Sequence, residues 1–194
     1  RGEYNMYYEF KSPLTVQLEI TSECNHCCIH CYNYWRTGSS NKATLNETQL
    51  YKIMRNLKNS EVVQMTITGG EPMIYPNLLI KGLELANNFN IKCSVNSNLT
   101  LVTTEIARAI KKNNSGVLTS ILSHNPKKHD ELTNSKGSHN RLVKGLKLLL
   151  KTGVPVSVNM VVMQQNLNEV YETGKSMREL GVKNFSSTKV CPSL

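Results

Sequence analysis

The sequence has no apolar stretch long enough to cross a membrane. Its 194 residues contain only short hydrophobic runs, and a spanning helix needs roughly 20 consecutive apolar residues. Residues 1–12 carry charges and tyrosines and lack the apolar core of a secretory signal. We therefore expect a cytoplasmic protein with no membrane partner, in a compartment that keeps thiols reduced.

The chain also lacks low-complexity linkers and blocks of like charge, and a chain of this length can bury a sizeable core as one domain. Short apolar runs alternate with amphipathic segments, a pattern typical of repeated βα units. We predict a parallel α/β fold of six units, with one helix after each of the first five strands. The predicted strands are 14–20, 62–68, 91–97, 117–122, 156–162 and 185–190. The first predicted helix begins at about residue 46, and the other four are 78–88, 104–112, 141–151 and 167–180.

Acidic side chains are scarce relative to basic ones, 14 against 23, which gives a formal net charge of +9. Such an excess favours an acidic partner, such as an acidic peptide. The basic residues are scattered, and no arginine-rich or aromatic-interleaved run is typical of RNA binding. We expect a solvated basic surface, and a nucleic acid is not the expected partner.

Cysteines spread through the chain, as in a disulfide framework, are missing. Four of the six cysteines, Cys24, Cys27, Cys28 and Cys31, lie within eight residues, which is too close to join distant parts of a fold. Clustered thiols in a reducing compartment indicate metal ligands. Cys24, Cys28 and Cys31 follow the spacing C-x3-C-x2-C, with which one loop can bind three irons of a [4Fe-4S] cluster and leave the fourth open.

Two other interpretations of the cysteine loop stay open at this point. Cys24, Cys27 and Cys31 also form a possible ligand set, with the spacing C-x2-C-x3-C. Two adjacent C-x2-C pairs, with His26 or His30, form a possible zinc site, although zinc ribbons usually place a dozen or more residues between their pairs.

A second motif, Gly69-Gly70-Glu71-Pro72, directly follows the predicted second strand. Two glycines permit a close backbone approach and positive φ, a carboxylate accepts hydrogen bonds from an ammonium group, and proline fixes the direction of the exit. The carboxyl ends of parallel strands lie at one edge of a sheet, so we expect this loop and the cysteine loop to share a site.

The two motifs in this order resemble the radical S-adenosylmethionine (SAM) enzymes. The resemblance implies a partial (β/α)6 TIM-like barrel with parallel strands, and a [4Fe-4S] cluster on Cys24, Cys28 and Cys31. It also implies that SAM chelates the open iron and is cleaved reductively to a 5′-deoxyadenosyl radical. Residues 69–72 would then contact the amino group of SAM. No general base is evident, so the catalytic residue is left unassigned.

Five further SAM contacts are implied by the same resemblance. They are His30 near the adenine, Ser97 and Asn98 at the ribose, Ser120 at the carboxylate and Asn159 at the adenosine. For Ser97, Asn98 and Asn159 the alternative is an ordinary turn or a satisfied polar side chain. Two departures from the family stand out: Leu99 replaces a usual glycine, and Thr133 replaces an arginine that in many relatives follows the His-Asp pair.

The segments His129-Asp130 and Gly137-Ser138, with Gly145 and residues 153–162, resemble the SPASM/twitch-like branch of peptide and protein maturases. That resemblance implies hydrogen abstraction from a ribosomally made peptide, possible auxiliary Fe–S clusters outside this chain, and a flavodoxin or ferredoxin as electron donor. The alternatives are a protein modification like that of anaerobic sulfatase maturases, an RNA-modifying radical SAM enzyme, and a non-catalytic metal-binding module.

The resemblance also implies how the chain is divided. We expect residues 1–13 to be an N-terminal extension, 14–190 the core domain, and 191–194 the start of an auxiliary-cluster region. Cys191 is then either a first ligand of such a cluster or a cysteine without that role, because no further cysteine follows it.

Overall fold

Six strands alternate with helices in the computed structural model, which describes residues 12–32 and 42–190. The strands are β1 Thr15–Thr21, β2 Gln64–Gly69, β3 Lys92–Asn96, β4 Gly116–Ser120, β5 Val156–Val162 and β6 Asn184–Lys189. The α-helices are α1 Glu47–Asn59, α2 Pro76–Asn88, α3 Thr104–Lys112, α4 Pro126–Thr133, α5 Ser138–Thr152 and α6 Val170–Glu179. Two 3₁₀ turns, Pro72–Ile74 and Leu167–Glu169, precede α2 and α6.

The strands form one parallel sheet in which the spatial order follows the chain order from β1 to β6. Right-handed crossovers that always advance in one direction place every connecting helix on the same face of the sheet. This is the α/β architecture of a partial (β/α)6 barrel. Among the described residues β1 and β6 are the two edges, so the barrel is open there.

The main core lies between the sheet and the helices. Alternate strand residues such as Ile20, Met65, Ile67 and Val95 are fully buried against the apolar faces of the helices. The residues between them face the inside of the barrel and are mostly polar, and none of Thr66, Ser94 and Asn159 is buried. The inner face of the sheet is therefore open to a polar ligand.

The ends of the helices are fixed by residues that the sequence marks clearly. Asn46 and Gln49 form a reciprocal capping box at the start of α1, and Gly153 ends α5 in a left-handed conformation. Asn125 caps α4 through the N–H groups of its first turn. None of the described helices is both long and apolar enough to span a bilayer.

The predicted elements agree with the observed ones to within three residues at each end, except in the fourth unit. There we expected a single helix, and that prediction is wrong, because α4 precedes α5. The eight residues of α4 are largely polar, so hydrophobic periodicity does not reveal them. The pair Asn125-Pro126 did carry the signal, as a capping residue followed by proline at the first helical position.

Candidate functional site

The cysteine loop leaves the carboxyl end of β1 and returns to it. Thr21 and Thr44 form an antiparallel bridge, and their hydroxyl oxygens lie 2.8 Å apart. This bridge holds the two stems of the loop together. Residues 33–41, which include Tyr34 and Trp35, lie outside the described residues.

One cavity of about 840 Å³ gathers most of the predicted site residues at the carboxyl ends of the strands. Pro72 and Asn159 do not line it. Those that do are Cys24, Cys28, His30, Cys31, Gly69, Gly70, Glu71, Ser97, Asn98 and Ser120. A cavity of this size suits a cofactor of the size of SAM.

Two of the thiols in the cavity, those of Cys24 and Cys28, have raised pKa values and so favour their neutral form. Burial is the main cause that raises the pKa of Cys28 to about 12 and that of Cys24 to about 11. Nearby thiols contribute to both values, and Glu71 contributes to that of Cys24. A bare thiolate is therefore disfavoured here, unlike at a nucleophilic cysteine. A bound cation reverses this preference, because it stabilises the deprotonated sulfur.

Cys27 differs from Cys28 in exposure and in how its peptide group is used. Its side chain is exposed, whereas that of Cys28 is half-buried. Its N–H donates to Thr133 O at 3.2 Å, and its carbonyl accepts from Asn134 Nδ2 at 2.8 Å. Cys28 O accepts the Cys31 N–H at 3.1 Å, which turns the loop between these two thiols. Both side chains line the cavity, so the choice of Cys28 as a ligand stays a prediction.

Within residues 12–32 and 42–190, no three His, Cys, Asp or Glu side chains are grouped so as to hold a single metal ion. In a cubane each thiolate binds a different iron, so its ligands need no such common centre. His26, a residue of the zinc alternative, donates its backbone N–H to Cys24 Sγ at 3.4 Å. Burial lowers the pKa of its imidazole to about 4.

The glycine loop lies directly against the cysteine loop. A Cβ at Gly69, whose φ is +148°, would lie 2.2 Å from Thr21 O, and one at Gly70 would lie 2.0 Å from Glu23 O. The missing side chains let the Gly70 N–H donate to Thr21 O at 2.7 Å and the Glu71 N–H to Glu23 O at 2.6 Å. The two motifs are thus bonded to each other just before the first cysteine.

Glu71 is buried, and its carboxylate joins the ends of β2 and β3. Oε1 accepts from the Met73 N–H at 3.0 Å and from Ser97 Oγ at 2.8 Å, and Oε2 accepts from the Asn98 N–H at 2.8 Å. Burial raises the pKa of Glu71, and these hydrogen bonds oppose that rise. Since a carboxylate has about four accepting positions, room for another donor remains on Oε2.

The side chains predicted to contact the ribose are also bonded within the chain. Ser97 Oγ accepts the Leu99 N–H at 3.0 Å, and Asn98 Nδ2 donates to Asn25 Oδ1 in the cysteine loop at 2.8 Å. Leu99, at the position where the family usually has glycine, has a φ of +61°. The ribose contact stays a prediction, while these bonds show that the end of β3 positions the cysteine loop.

The His-Asp segment that resembles the family forms the frame on which α4 and α5 rest. His129 Nδ1 accepts the Leu122 N–H at 3.2 Å, which ties α4 to the end of β4. Asp130 accepts from the His139 N–H at 2.9 Å and from Ser138 Oγ at 3.0 Å at the start of α5. Burial alone would raise the pKa of Asp130, but these hydrogen bonds outweigh it and lower the pKa below its usual value.

Thr133 lines the cavity where many relatives have an arginine, and it brings no charge. Its hydroxyl donates to His129 O at 3.0 Å. Among the described residues the basic side chains of Lys and Arg that line the cavity are Lys42 and Lys189. Lys42 Nζ lies 3.4 Å from Glu23 Oε2. Neither lysine was among the predicted site residues, although Lys189 ends β6 and so belongs to the edge where the site was expected.

Three further residues named in the sequence analysis remain to be placed. Asn159 faces the inside of the barrel, where its amide donates to Thr188 Oγ1 and accepts from Ser186 Oγ, each at 3.0 Å. His30 lines the cavity with Nδ1 buried and without a hydrogen-bond partner among the described residues, and burial lowers its pKa. Cys191 lies outside the described residues.

The residues present fit a [4Fe-4S] cluster with SAM. Three thiols of the expected spacing meet in one cavity, and the raised pKa values of Cys24 and Cys28 mean that a cation is needed to hold these two as thiolates. The cavity continues beyond them to the ends of β2, β3 and β4. The bonded pair of glycines brings the second motif next to the first.

Comparison with known proteins shows which family the chain resembles. The profile of the radical SAM superfamily matches residues 18–177. The antilisterial bacteriocin subtilosin biosynthesis protein AlbA of Bacillus subtilis is 32% identical over 180 residues, which are 92% of this chain and 40% of AlbA. The AdoMet-dependent heme synthase of Methanosarcina barkeri is 25% identical over 171 residues, 88% of this chain and 48% of the synthase.

Among solved structures, that of Streptococcus suis SuiB bound to SAM superposes with a TM-score of 0.80 at 20% identity, over 93% of this chain and 41% of SuiB. SuiB has also been solved with its precursor peptide SuiA. The shared fold is a partial barrel of the same kind. The chain spans about two fifths of the length of AlbA and of SuiB.

Proposed function

The chain belongs to the radical SAM superfamily, and we propose that it is the core domain of a peptide-modifying member that cleaves SAM reductively. The observation that carries this proposal is the single cavity shared by the C-x3-C-x2-C thiols and the glycine loop. A three-cysteine site leaves one iron open to a further ligand, whereas a four-cysteine site does not.

In this proposal Cys24, Cys28 and Cys31 hold the cluster. The glycine loop, through its backbone and the remaining accepting position on Glu71, orients the amino group of SAM. When bound, the cluster and SAM supply one electron and a 5′-deoxyadenosyl radical, and the chain supplies position and exclusion of water.

The remaining contacts to SAM are proposed from their places in the cavity. His30 is the adenine neighbour, Ser97 and Asn98 reach the ribose with whatever bonding capacity their intrachain bonds leave, and Ser120 at the end of β4 meets the carboxylate. Asn159 is a weaker candidate, because both polar atoms of its amide are bonded to β6. Cys191 and any auxiliary clusters stay part of the proposal for the longer protein.

A ribosomally made peptide is the proposed substrate class. In support, AlbA takes part in the biosynthesis of a bacteriocin, and SuiB binds a precursor peptide within the same fold. The inner face of the barrel is polar and accessible, as a peptide backbone requires. A protein modification like that of anaerobic sulfatase maturases is the second candidate, because native anSMEcpe with bound AdoMet superposes with a TM-score of 0.79 at 18% identity.

The electron donor is proposed to be an acidic protein of the flavodoxin or ferredoxin type. The stretch 126–152, which contains α4 and α5, holds seven of the 23 basic side chains and two of the 14 acidic ones. The cysteine loop is hydrogen-bonded to the end of α4, so a partner drawn to this stretch would dock beside the cluster.

The experiment that tests this function follows hydrogen from peptide to SAM product. The protein is reconstituted anaerobically with iron and sulfide, reduced with dithionite and incubated with SAM and a library of deuterated precursor-type peptides. We expect 5′-deoxyadenosine that carries deuterium from a peptide. The assay is repeated with a deuterated porphyrin and with a deuterated nucleotide in place of the peptides. Deuterium in 5′-deoxyadenosine from one of these, and from no peptide, would contradict the proposed substrate class and keep the family chemistry.

A further inference from the structure

The middle of the cysteine loop rests on the last turn of α4. The Cys27 N–H donates to Thr133 O at 3.2 Å, and the Ile29 N–H donates to Leu132 O at 3.1 Å. Both acceptors are carbonyls at the end of a helix, which lack a partner within the helix itself. The cysteine loop thus satisfies the free end of α4, and α4 in turn fixes the peptide groups on both sides of Cys28.

Asn134 adds a third bond from the same turn. Its Nδ2 donates to Cys27 O at 2.8 Å, across 107 positions of the sequence. The backbone of Asn134 is left-handed, with φ +49° and ψ +39°, and asparagine is among the few residues besides glycine that adopt this conformation readily. That conformation ends the helix and carries the side chain to the cysteine loop.

The three bonds fix the backbone that carries the two neighbouring thiols, both of which line the cavity. They occupy both the N–H and the carbonyl of Cys27, whose side chain is left exposed. With residues 27 and 29 fixed, the chain direction at Cys28 is also fixed, and Cys28 is less exposed than Cys27. The front of the loop is held separately, where Asn25 is bonded to Asn98 and Thr100 of the segment after β3.

We propose that Asn134 is a positioning residue for the cluster and that the last turn of α4 is a clamp that presents Cys28, in preference to Cys27, to iron. The proposal rests on the proposed function, since it assumes a cluster on Cys24, Cys28 and Cys31. Asn134 itself is exposed, so its side chain contributes little to the core, and its removal leaves the packing of α4 intact.

The test uses two variants of Asn134 and one matched control. Asn134→Gly keeps the left-handed backbone and removes the amide. Asn134→Asp keeps the shape and replaces the donor with a carboxylate facing a carbonyl oxygen. The control, Asn125→Ala, weakens the same helix at its other end by removing the cap that accepts the Lys127 N–H at 3.0 Å.

Three measurements are made on each protein. On the iron-free protein, amide hydrogen exchange is followed for residues 24–32. On the reconstituted protein, the rate at which an iron chelator removes the cluster is measured under anaerobic conditions, together with the electron paramagnetic resonance spectrum of the reduced cluster.

For Asn134→Gly we expect about three- to tenfold faster exchange at the amides of Cys27 and Ile29 and a similarly faster loss of iron, as the loss of one hydrogen bond would give. Asn134→Asp should be at least as impaired and should show a changed spectrum. Asn125→Ala should lower the melting temperature and leave exchange in the loop, iron loss and the spectrum as in the native protein.

Equal iron loss in Asn125→Ala and Asn134→Gly would overturn the proposal, because stability of α4 would then account for the effect. Unchanged values in both Asn134 variants would overturn it as well. A native protein that takes up no cluster would refute the proposed function, and with it the role toward iron. The exchange data would still decide in that case whether the clamp holds the loop.

Discussion

At Leu99 the free energy cost of a left-handed backbone is offset by burial of the side chain. Its φ is +61°, a conformation that costs most side chains about 1–2 kcal/mol, yet its side chain is completely buried. A glycine here, as the resemblance to the family implies for its members, would avoid the strain and leave the space unfilled. This chain fills the space instead, at the end of the strand that carries Ser97 and Asn98.

A comparison of alanine and glycine at this position tests the account. Both Leu99→Ala and Leu99→Gly lose buried side chain and should destabilise by about 2–5 kcal/mol. At an ordinary buried position such as Leu83 in α2, glycine is expected to be about 1 kcal/mol worse than alanine. At Leu99 we expect that gap to shrink by at least about 1 kcal/mol in urea unfolding, and an equal gap at both positions would show that Leu99 is unstrained.

The buried side chain of His129 makes the stability of the domain depend on pH. Burial, and then the nearby His139, lower the pKa of His129 to about 3, and Asp130, His26 and His30 also face it. A buried neutral histidine binds a proton more weakly than in the unfolded chain, where its pKa is about 6.5. Its contribution to stability is therefore complete above pH 6.5 and falls as the pH decreases from 6.5 towards 3.

We expect the iron-free protein to lose stability between pH 7.5 and pH 5, by at most ~1.4 kcal/mol per pH unit for each such histidine. His129→Asn keeps an acceptor for the Leu122 N–H and removes the titration. Its urea midpoint should vary less with pH than that of the native protein. A variant with the native pH dependence would show that His129 makes no contribution.

Helix α5 packs closely against the segment after β3 because it has a glycine at the point of contact. A Cβ at Gly145 would lie 2.3 Å from Leu99 O and 3.1 Å from Val102 Cγ2. The glycine therefore lets α5 approach the segment after β3. Gly82 in α2 is a useful comparison. The atom nearest to a Cβ at Gly82 is the end of a flexible side chain, Ile67 Cδ1 at 2.9 Å.

Gly145→Ala should lower the free energy of unfolding by about 1–3 kcal/mol, although helix propensity alone would raise it by about 1 kcal/mol. Gly82→Ala should cost less, because the Ile67 side chain can rotate away. Equilibrium unfolding of the two variants tests this order. A stabilised Gly145→Ala would mean that the helix does not approach the backbone at Leu99 so closely.

Helix α4 and its contact with the cysteine loop could not be predicted from the sequence, for physical reasons. Helix α4 is short and polar, so its burial depends on its neighbours and leaves no periodic pattern. The spacing of the cysteines predicted the loop, but not that Asn134, more than a hundred residues later, would bond to it. Contacts between distant loops depend on the assembled barrel, whereas caps such as Asn46 and Gly153 act locally and could be read directly.

For the whole molecule, the order of βα units correctly predicted a parallel sheet even though the strands alternate between apolar and polar residues. Alternation is more typical of antiparallel sheets with one solvated face. Its cause here is the open barrel, since Thr66 and Ser94 face a solvated interior and bond to each other at 3.0 Å. A closed TIM barrel would fill that space with branched apolar side chains.

The distribution of charge predicts how the molecule meets its electron donor. Lys136 and Lys144 are exposed in the basic stretch 126–152, and Lys52 and Lys81 are exposed on α1 and α2. Changing Lys136 and Lys144 together to Glu should slow reduction of the cluster by a reduced acidic flavodoxin about tenfold at low salt, and less at high salt. Reduction by dithionite should stay near the native rate.

The control variant, with Lys52 and Lys81 both changed to Glu, alters the net charge equally and should change the flavodoxin rate much less. Equal slowing in the two double variants would indicate a general effect of net charge. In that case the stretch 126–152 would not be the docking surface.

The account depends most on the identity of the three cluster ligands. Replacing each of the two adjacent cysteines separately by alanine tests it most directly. After anaerobic reconstitution, iron content and dithionite-dependent formation of 5′-deoxyadenosine are measured for the native protein, Cys27→Ala and Cys28→Ala. We predict about four irons per chain and SAM cleavage in the native protein and in Cys27→Ala, and loss of both in Cys28→Ala. Loss in Cys27→Ala with retention in Cys28→Ala would contradict the account, as would zinc without iron in the native protein.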